Sequence, residues 1–116
     1  MPLIYKIVDK PSWHSAVTAG QFDGAAIDLQ DGFIHFSAAN QVAETLQKYF
    51  AGRSDLLLVC VDAQRLGDAL KWEVSRGGDL FPHLYASLPM SAVVDQFDLP
   101  LLDNGSHRLP DSLLSA

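Results

Sequence analysis

Polar side chains that could do chemistry stand inside apolar surroundings at three places in the sequence. His35 interrupts the apolar run at 33–36, Glu73 lies in a short strand-like segment, and His83 lies in an extended segment beside Tyr85. An imidazole can serve as general acid or base near neutral pH, and a carboxylate at a cleft can hold a sugar hydroxyl or stabilise a developing positive charge. We therefore predict that His35, Glu73 and His83 are catalytic. A purely structural role remains open for each of them, because buried histidines are often simply hydrogen-bonded and many glutamates are solvated.

A second group of residues has the chemistry of a ligand-binding site. Arg76 is followed by Gly77 and Gly78, and a guanidinium beside flexible backbone suits a phosphate, although a plain turn is the alternative. Tyr85 could stack on a base or a nicotinamide ring. Asp28 precedes His35 in a segment where turn chemistry would also explain an aspartate.

A metal site and a nucleophilic enzyme are both disfavoured. The four residues His35, His83, Asp28 and Glu73 could form a mixed nitrogen and oxygen site, but no H-x-x-x-H, H-x-H or C-x-x-C spacing prearranges ligands, so no metal is predicted. The single cysteine, Cys60, lies in an apolar strand pattern and is expected to be buried. No G-x-S-x-G motif is present.

The charge pattern limits the partners. The chain has 116 residues, a net charge of −6 and 8 lysines and arginines that form no run, so bulk nucleic-acid binding is not expected, whereas a small anion remains open. A signal peptide and an apolar stretch of roughly 20 residues are both lacking, which favours a cytoplasmic protein with no membrane contact.

Several elements are needed to position these residues. We predict strands at 3–8, 33–36, 56–61, 71–74 and 92–99, the third of them central because it is apolar on both faces. A short helix at 13–18 would be capped by Ser12, and a longer one would follow Ser37 with the buried stripe Val42, Leu46, Tyr49 and Phe50. Residues 21–33 and 80–88 are predicted to be irregular. The pattern indicates an α+β architecture with a peripheral tail at 101–116.

Two motifs occur together in order: D-G-F-I-H-x-S at 31–37 and L-F-P-H-L-Y at 80–85. On these motifs the chain resembles the family called domain of unknown function 952, from residue 3 to about residue 100. That family is grouped with the ADP-ribosyltransferase superfamily, and the similarity is nearest to the RNA 2′-phosphotransferase branch. The segments Ile34-His35-Phe36-Ser37 and Val61-Asp62 occupy the corresponding places.

The resemblance implies a single domain at 1–100 with an ADP-ribosyltransferase-like split, curved sheet, two main helices and a cleft for an NAD-like dinucleotide. It further implies that Asp28, Ser37, Arg76, Gly77 and Tyr85 bind the cofactor, NAD. The first strand departs from the phosphotransferase pattern, because Tyr5 and Lys6 stand where a histidine is expected.

Three functions follow as hypotheses. The first is ADP-ribosyl or 2′-phosphate transfer, with Glu73 on the developing charge, His35 on a ribose and Arg76 on the pyrophosphate. The second is a non-catalytic module that binds a nucleotide or a peptide in the same cleft. The third, a purely structural partner protein, requires His35, Glu73 and His83 to lie far apart.

Overall fold

The computed structural model describes residues 2–114, apart from the side chains of Arg76 and Leu114. Its centre is a strand that is buried along its whole length, Leu56–Asp62. This strand pairs antiparallel with Leu3–Asp9 on one side and with Val93–Asp98 on the other. Because its residues are apolar on both faces, only a central position removes all of them from water.

A second antiparallel sheet contains the segments that carry His35 and His83. In chain order the strands of the molecule are β1 (Leu3–Asp9), β2 (Gln21–Phe22), β3 (Ile34–His35), β4 (Leu56–Asp62), β5 (Leu70–Val74), β6 (Leu80–Leu84), β7 (Leu88–Pro89) and β8 (Val93–Asp98). The first sheet has the order β1-β4-β8, the second has the order β3-β6-β5, and β2 pairs with β7.

The two larger sheets are joined by one backbone bridge. The amide of Tyr5 donates to the carbonyl of Ser37, and the amide of Ser37 donates to the carbonyl of Tyr5, both at 2.8 Å. The edge of β1 therefore runs directly beside the end of β3, and side chains from both sheets meet there.

The helices are α1 (Lys10–Ala19), α2 (Ala26–Asp31), α3 (Val42–Tyr49) and α4 (Asp111–Leu114). Asp9 caps α1 by accepting from the amide of Ser12, and Gly20 ends this helix with a left-handed φ of 90°. A 3-10 turn over Ala39–Gln41 precedes α3. No helix within residues 2–114 is long and apolar enough to cross a bilayer.

Two apolar clusters lie on the two faces of β4. Leu57, Val59 and Val61 pack into the larger cluster with Trp13 and Ile34, among others. Leu56 and Leu58 alternate with them and pack into the smaller cluster on the other face. That smaller cluster also takes in Val42, Leu46, Leu99, Leu109 and Leu113, so residues of the segment after Pro100 contribute to it.

The architecture is a small α+β domain, as predicted, and the central position of β4 is confirmed. The prediction of an irregular segment at 80–88 is wrong, since this segment forms β6 and β7, and residues 21–33 contain β2 and α2. Ser37 does not cap the long helix, because its backbone pairs with Tyr5 and the helix begins at Val42. Tyr49 is 59% exposed and does not belong to the buried stripe.

Candidate functional site

The strand register of the second sheet brings the predicted residues to one face. His35 lies opposite His83 across β3 and β6, and Glu73 lies opposite Phe81 across β5 and β6. Since side chains alternate along a strand, His83 and Glu73 are diagonal neighbours on the same face as His35. The opposite face carries Ile34 and Leu84, which are buried in the larger cluster.

The two imidazoles are held together by an aromatic ring. The ring of Phe33 stacks on His83 with centroids 4.1 Å apart, and it lies 4.6 Å from the ring of His35. The rings of His35 and His83 meet edge to face at 5.5 Å. Contacts of this kind restrict the rotation of both imidazoles.

Glu73 and Tyr85 fix the orientation of His83. Oε1 of Glu73 lies 2.8 Å from Nδ1 of His83, and it also accepts from the hydroxyl of Tyr85 at 2.7 Å. The hydrogen bonds from Tyr85 and His83 lower the pKa of Glu73, and the same bond to Glu73 raises the pKa of Tyr85. An ionised Glu73 accepts only, so Nδ1 of His83 donates, and the lone pair of the neutral ring lies on Nε2.

His35 lies between two carboxylates. Its Nδ1 is 2.7 Å from Oδ1 of Asp28, and its Nε2 is 2.9 Å from Oδ2 of Asp31. The His35 side chain is 31% exposed. This histidine is therefore oriented from the protein interior by Asp28 and contacted from the solvent side by Asp31.

Asp28 is the buried centre of this network. Its two oxygens both lie 3.0 Å from Nζ of Lys6, and they accept from the amides of Ala25 at 2.7 Å and His35 at 3.0 Å. Burial by itself would raise the pKa of Asp28, but the hydrogen bond from His35 and the charge of Lys6 outweigh it and lower the pKa to about 2. Burial lowers the pKa of Lys6 against the pull of Asp28.

A cavity of about 510 Å³ opens beside this network, where β1 meets β3. That volume falls within the range of small-molecule sites. Its wall combines polar groups with aromatic rings, namely Tyr5, Lys6, Asp31, His35, Ser37, Thr45, Arg53, Ser75 and His83 with Phe36, Tyr49, Phe50 and Phe81. Within residues 2–114, no group of three or more His, Cys, Asp or Glu side chains is arranged to hold a metal ion.

The predicted site residues divide into those on the cavity wall and those behind it. His35, His83 and Ser37 line the cavity, whereas Asp28 and Glu73 reach it only through the imidazoles that they bind. Tyr85 is 45% exposed, donates to Glu73 and does not line the cavity. Gly77 lies in the loop between β5 and β6 with a φ of 65°, and the Arg76 side chain lies outside the described part of the chain.

Sequence reasoning did not assign roles to Lys6, Asp31 and Arg53, all of which line the cavity. Lys6 carries a signal that could have found it, because it stands between Ile4 and Val8 on the buried face of β1. A lysine at such a position needs a buried partner. Asp31 and Arg53 lie in turns or at element ends, where a charged residue is ordinary.

The comparisons with known proteins place the chain in a family. Residues 7–96 match the family described as Protein of unknown function (DUF952), and because this match covers most of its length the chain belongs to that family. No curated protein matches the chain.

The chain is also similar to solved structures of protein CC0527 from Caulobacter crescentus. The crystal structure of CC0527 is 49% identical over 97% of this chain and 98% of that chain, with a TM-score of 0.92. Its solution NMR structure is 48% identical over 100% of both chains, with a TM-score of 0.87.

Proposed function

We propose that the cavity binds a nucleotide of the NAD or ADP-ribose type and that the protein catalyses ADP-ribosyl or 2′-phosphate transfer. The observation that carries this proposal is the pair His35 and His83 on one cavity wall, each held through Nδ1 by a carboxylate. A carboxylate behind an imidazole fixes its tautomer and orients its other nitrogen, which is the arrangement of a general acid or base.

The composition of the cavity wall fits such a ligand. Arg53 supplies positive charge for a pyrophosphate, and Ser37 supplies a hydroxyl that can pair with a ribose. The rings of Phe36, Phe50 and Phe81 offer apolar surface for a base. NAD, when bound, would supply the ADP-ribosyl group, with nicotinamide as the leaving group.

The residues of this chain would act as follows. His83 takes up the proton of the incoming hydroxyl at Nε2, since its Nδ1 already donates to Glu73. The Nδ1 of His35 donates to Asp28, so its Nε2 is the nitrogen that would hold an anionic oxygen or a ribose hydroxyl. Glu73 and Asp28 are positioning residues, because each contacts an imidazole and neither lines the cavity.

The test is a thermal-shift and product assay with NAD, ADP-ribose and an RNA that carries a 2′-phosphate. A ligand at 100 times its Kd stabilises the folded state by about 2.7 kcal/mol, which is a rise in Tm of roughly 10 °C for a domain of this size. Product formation is expected to fall at least about 100-fold in His83→Gln and to survive in His14→Gln, whose histidine is exposed on α1. Neither a shift nor a product with any of the three compounds would contradict the proposal.

The second candidate is a non-catalytic module that binds the same nucleotides. It is favoured by the placement of Glu73 outside the cavity wall, since the only predicted catalytic carboxylate then has no direct route to a ribose. A rise in Tm with no product in the same assay would support this candidate over the transferase.

A further inference from the structure

The two carboxylates that contact His35 determine which of its ring nitrogens must carry a hydrogen. Asp28 contacts Nδ1 at 2.7 Å and Asp31 contacts Nε2 at 2.9 Å. An ionised carboxylate only accepts hydrogen bonds. Both contacts are therefore hydrogen bonds only when both ring nitrogens of His35 donate, so that the ring is positively charged and enclosed by two anions.

The two carboxylates differ in how firmly they are held. The Asp28 side chain is 1% exposed, and Lys6, Ala25 and the amide of His35 all donate to it. The Asp31 side chain is 38% exposed, and among the described residues its one hydrogen bond is the one to His35. Asp28 is thus a fixed part of the interior, whereas Asp31 can leave His35 at the loss of a single solvent-exposed contact.

Asp31 also stands where a ligand would bind. It lines the same cavity as His35, Lys6 and Arg53. A carboxylate and a phosphate oxygen are chemically alike as anionic acceptors for an imidazolium, and Nε2 of His35 already faces the carboxylate of Asp31 at 2.9 Å.

We propose that the carboxylate of Asp31 occupies the binding position of the ligand's phosphate at Nε2 of His35, and that a phosphate-bearing ligand displaces this carboxylate when it binds. This inference rests on the proposed function and deepens it, because it names the phosphate as the group that His35 recognises. Asp31 then determines specificity for phosphorylated ligands. A pyrophosphate or a phosphate ester displaces the carboxylate and binds His35 in its place, whereas an uncharged nucleoside has no anionic group to replace it.

An opposite role for Asp31 makes the opposite prediction. If its carboxylate accepted hydroxyl groups of a bound ribose, its removal would weaken binding, because the ligand would lose a partner. The sign of the change in affinity therefore decides between displacement of Asp31 and direct binding by Asp31.

The experiment is calorimetric titration of inorganic pyrophosphate, ADP-ribose and adenosine into the wild-type protein, Asp31→Asn, Asp31→Ala and the control Asp68→Asn. Asp68 is an exposed acid outside the cavity wall, so its replacement makes the same change in net charge. The Kd of pyrophosphate and ADP-ribose is expected to fall about tenfold in both Asp31 variants, because the ligand no longer has to displace a charged acceptor from Nε2 of His35. Asp68→Asn is expected to change Kd less than about twofold.

The outcomes separate this inference from the proposed function. Wild-type binding of ADP-ribose with unchanged or weaker binding in both Asp31 variants overturns the role of Asp31 and leaves the nucleotide site standing. An equal gain in Asp68→Asn also overturns it, since the effect would then be one of net charge. Binding of neither anion by any of the four proteins overturns both.

Discussion

At the scale of single residues, the charges of the site converge on Asp28. The carboxylate joins Lys6 on β1, His35 on β3 and the amide of Ala25 at the start of α2. Three separate parts of the chain thus share one buried acceptor. A buried ion pair of this kind gives little stability relative to an apolar pair, but the loss of one partner leaves the other charge uncompensated.

Asp28→Asn is therefore expected to destabilise the protein strongly. The substitution leaves the ammonium of Lys6 buried without a counter-charge, which costs about 3 kcal/mol or more of the free energy of unfolding. Urea unfolding measures this change. The control is Asp98→Asn, which removes an exposed ion pair with Lys10 at 3.4 Å and is expected to cost less than about 0.5 kcal/mol. Equal effects of the two substitutions would contradict the importance of the Asp28 network.

The pH dependence of stability follows from the same residue. The pKa of Asp28 is about 2 in the folded protein against an ordinary value of 3.8, so the folded state favours its ionised form. The stability from this shift, about 2 kcal/mol, is present above the ordinary pKa and is lost as the pH falls toward 2. The difference in urea midpoint between the wild-type protein and Asp28→Asn should therefore narrow between pH 4 and pH 2.5. A difference that stays constant over this range would show that Asp28 keeps its ordinary pKa.

At the scale of elements, the turn before α2 packs against Asp28 and fixes its position in the site. Gly24 has a φ of 121°, and a Cβ built there would lie 2.9 Å from Cβ of Asp28. Because Ala25, the next residue, donates to Asp28, any shift of this turn moves an acceptor on which His35 depends.

Gly24→Ala is expected to cost about 2 kcal/mol or more, because strain of the left-handed backbone adds to a steric clash. Gly32→Ala is the matched control, since Gly32 has a φ of 86° and nothing within 4 Å of its added Cβ. The control carries the backbone strain alone and is expected to cost about 1 kcal/mol. Unfolding in urea compares the two, and the amide resonance of His35 should move more in Gly24→Ala. A larger cost for Gly32→Ala would refute the close packing of Gly24 on Asp28.

Some elements of this fold could be predicted from the sequence and others could not. The apolar run of β4 predicted a central strand, and the predicted residues His35, Glu73 and His83 do come together on one face. The strand β6 was missed because Pro82 has no amide to donate and usually excludes a central strand. Here the Pro82 carbonyl still accepts from the amide of Phe36, so the strand keeps a bond at that position.

The six residues of α2 were missed for a different reason. Ala26–Asp31 is too short for a helical period to appear, and Asp28, which is its buried residue, is polar. The helix is held by tertiary contacts of Asp28 with Lys6 and His35, which no local pattern reports. The assignment of Ser37 as a helix cap failed in the same way, because a long-range bridge to Tyr5 takes up its backbone.

At the scale of the whole molecule, the site depends on two sheets that meet along one bridge. The first sheet supplies Lys6, and the second supplies His35 and His83, while the pairing of Tyr5 with Ser37 keeps the two in register. The cavity therefore exists only while both sheets are folded. Global unfolding should abolish the site and expose β4 in one step.

Cys60 reports on that step. Its thiol is buried in β4, and this burial, with a smaller effect of Asp95, raises its pKa to about 12. A thiol reagent at pH 8 is expected to leave Cys60 unmodified in the native protein and to label it completely in urea, because the thiolate is the reactive form. The urea midpoint of labelling should coincide with that of tryptophan fluorescence. Rapid labelling under native conditions would mean that β4 is accessible without global unfolding.

The most direct test of the proposed nucleotide site is a titration of ADP-ribose into the ¹⁵N-labelled protein, followed by amide chemical shifts. We expect saturable shifts at residues 5–7, 35–37, 53, 81 and 83, which surround the cavity between the two sheets. The smaller depression lined by Lys10, Asp55 and Pro100 lies elsewhere and should remain unperturbed. Shifts confined to that depression, or none at millimolar ADP-ribose, would contradict the proposal that His35 and His83 face a nucleotide.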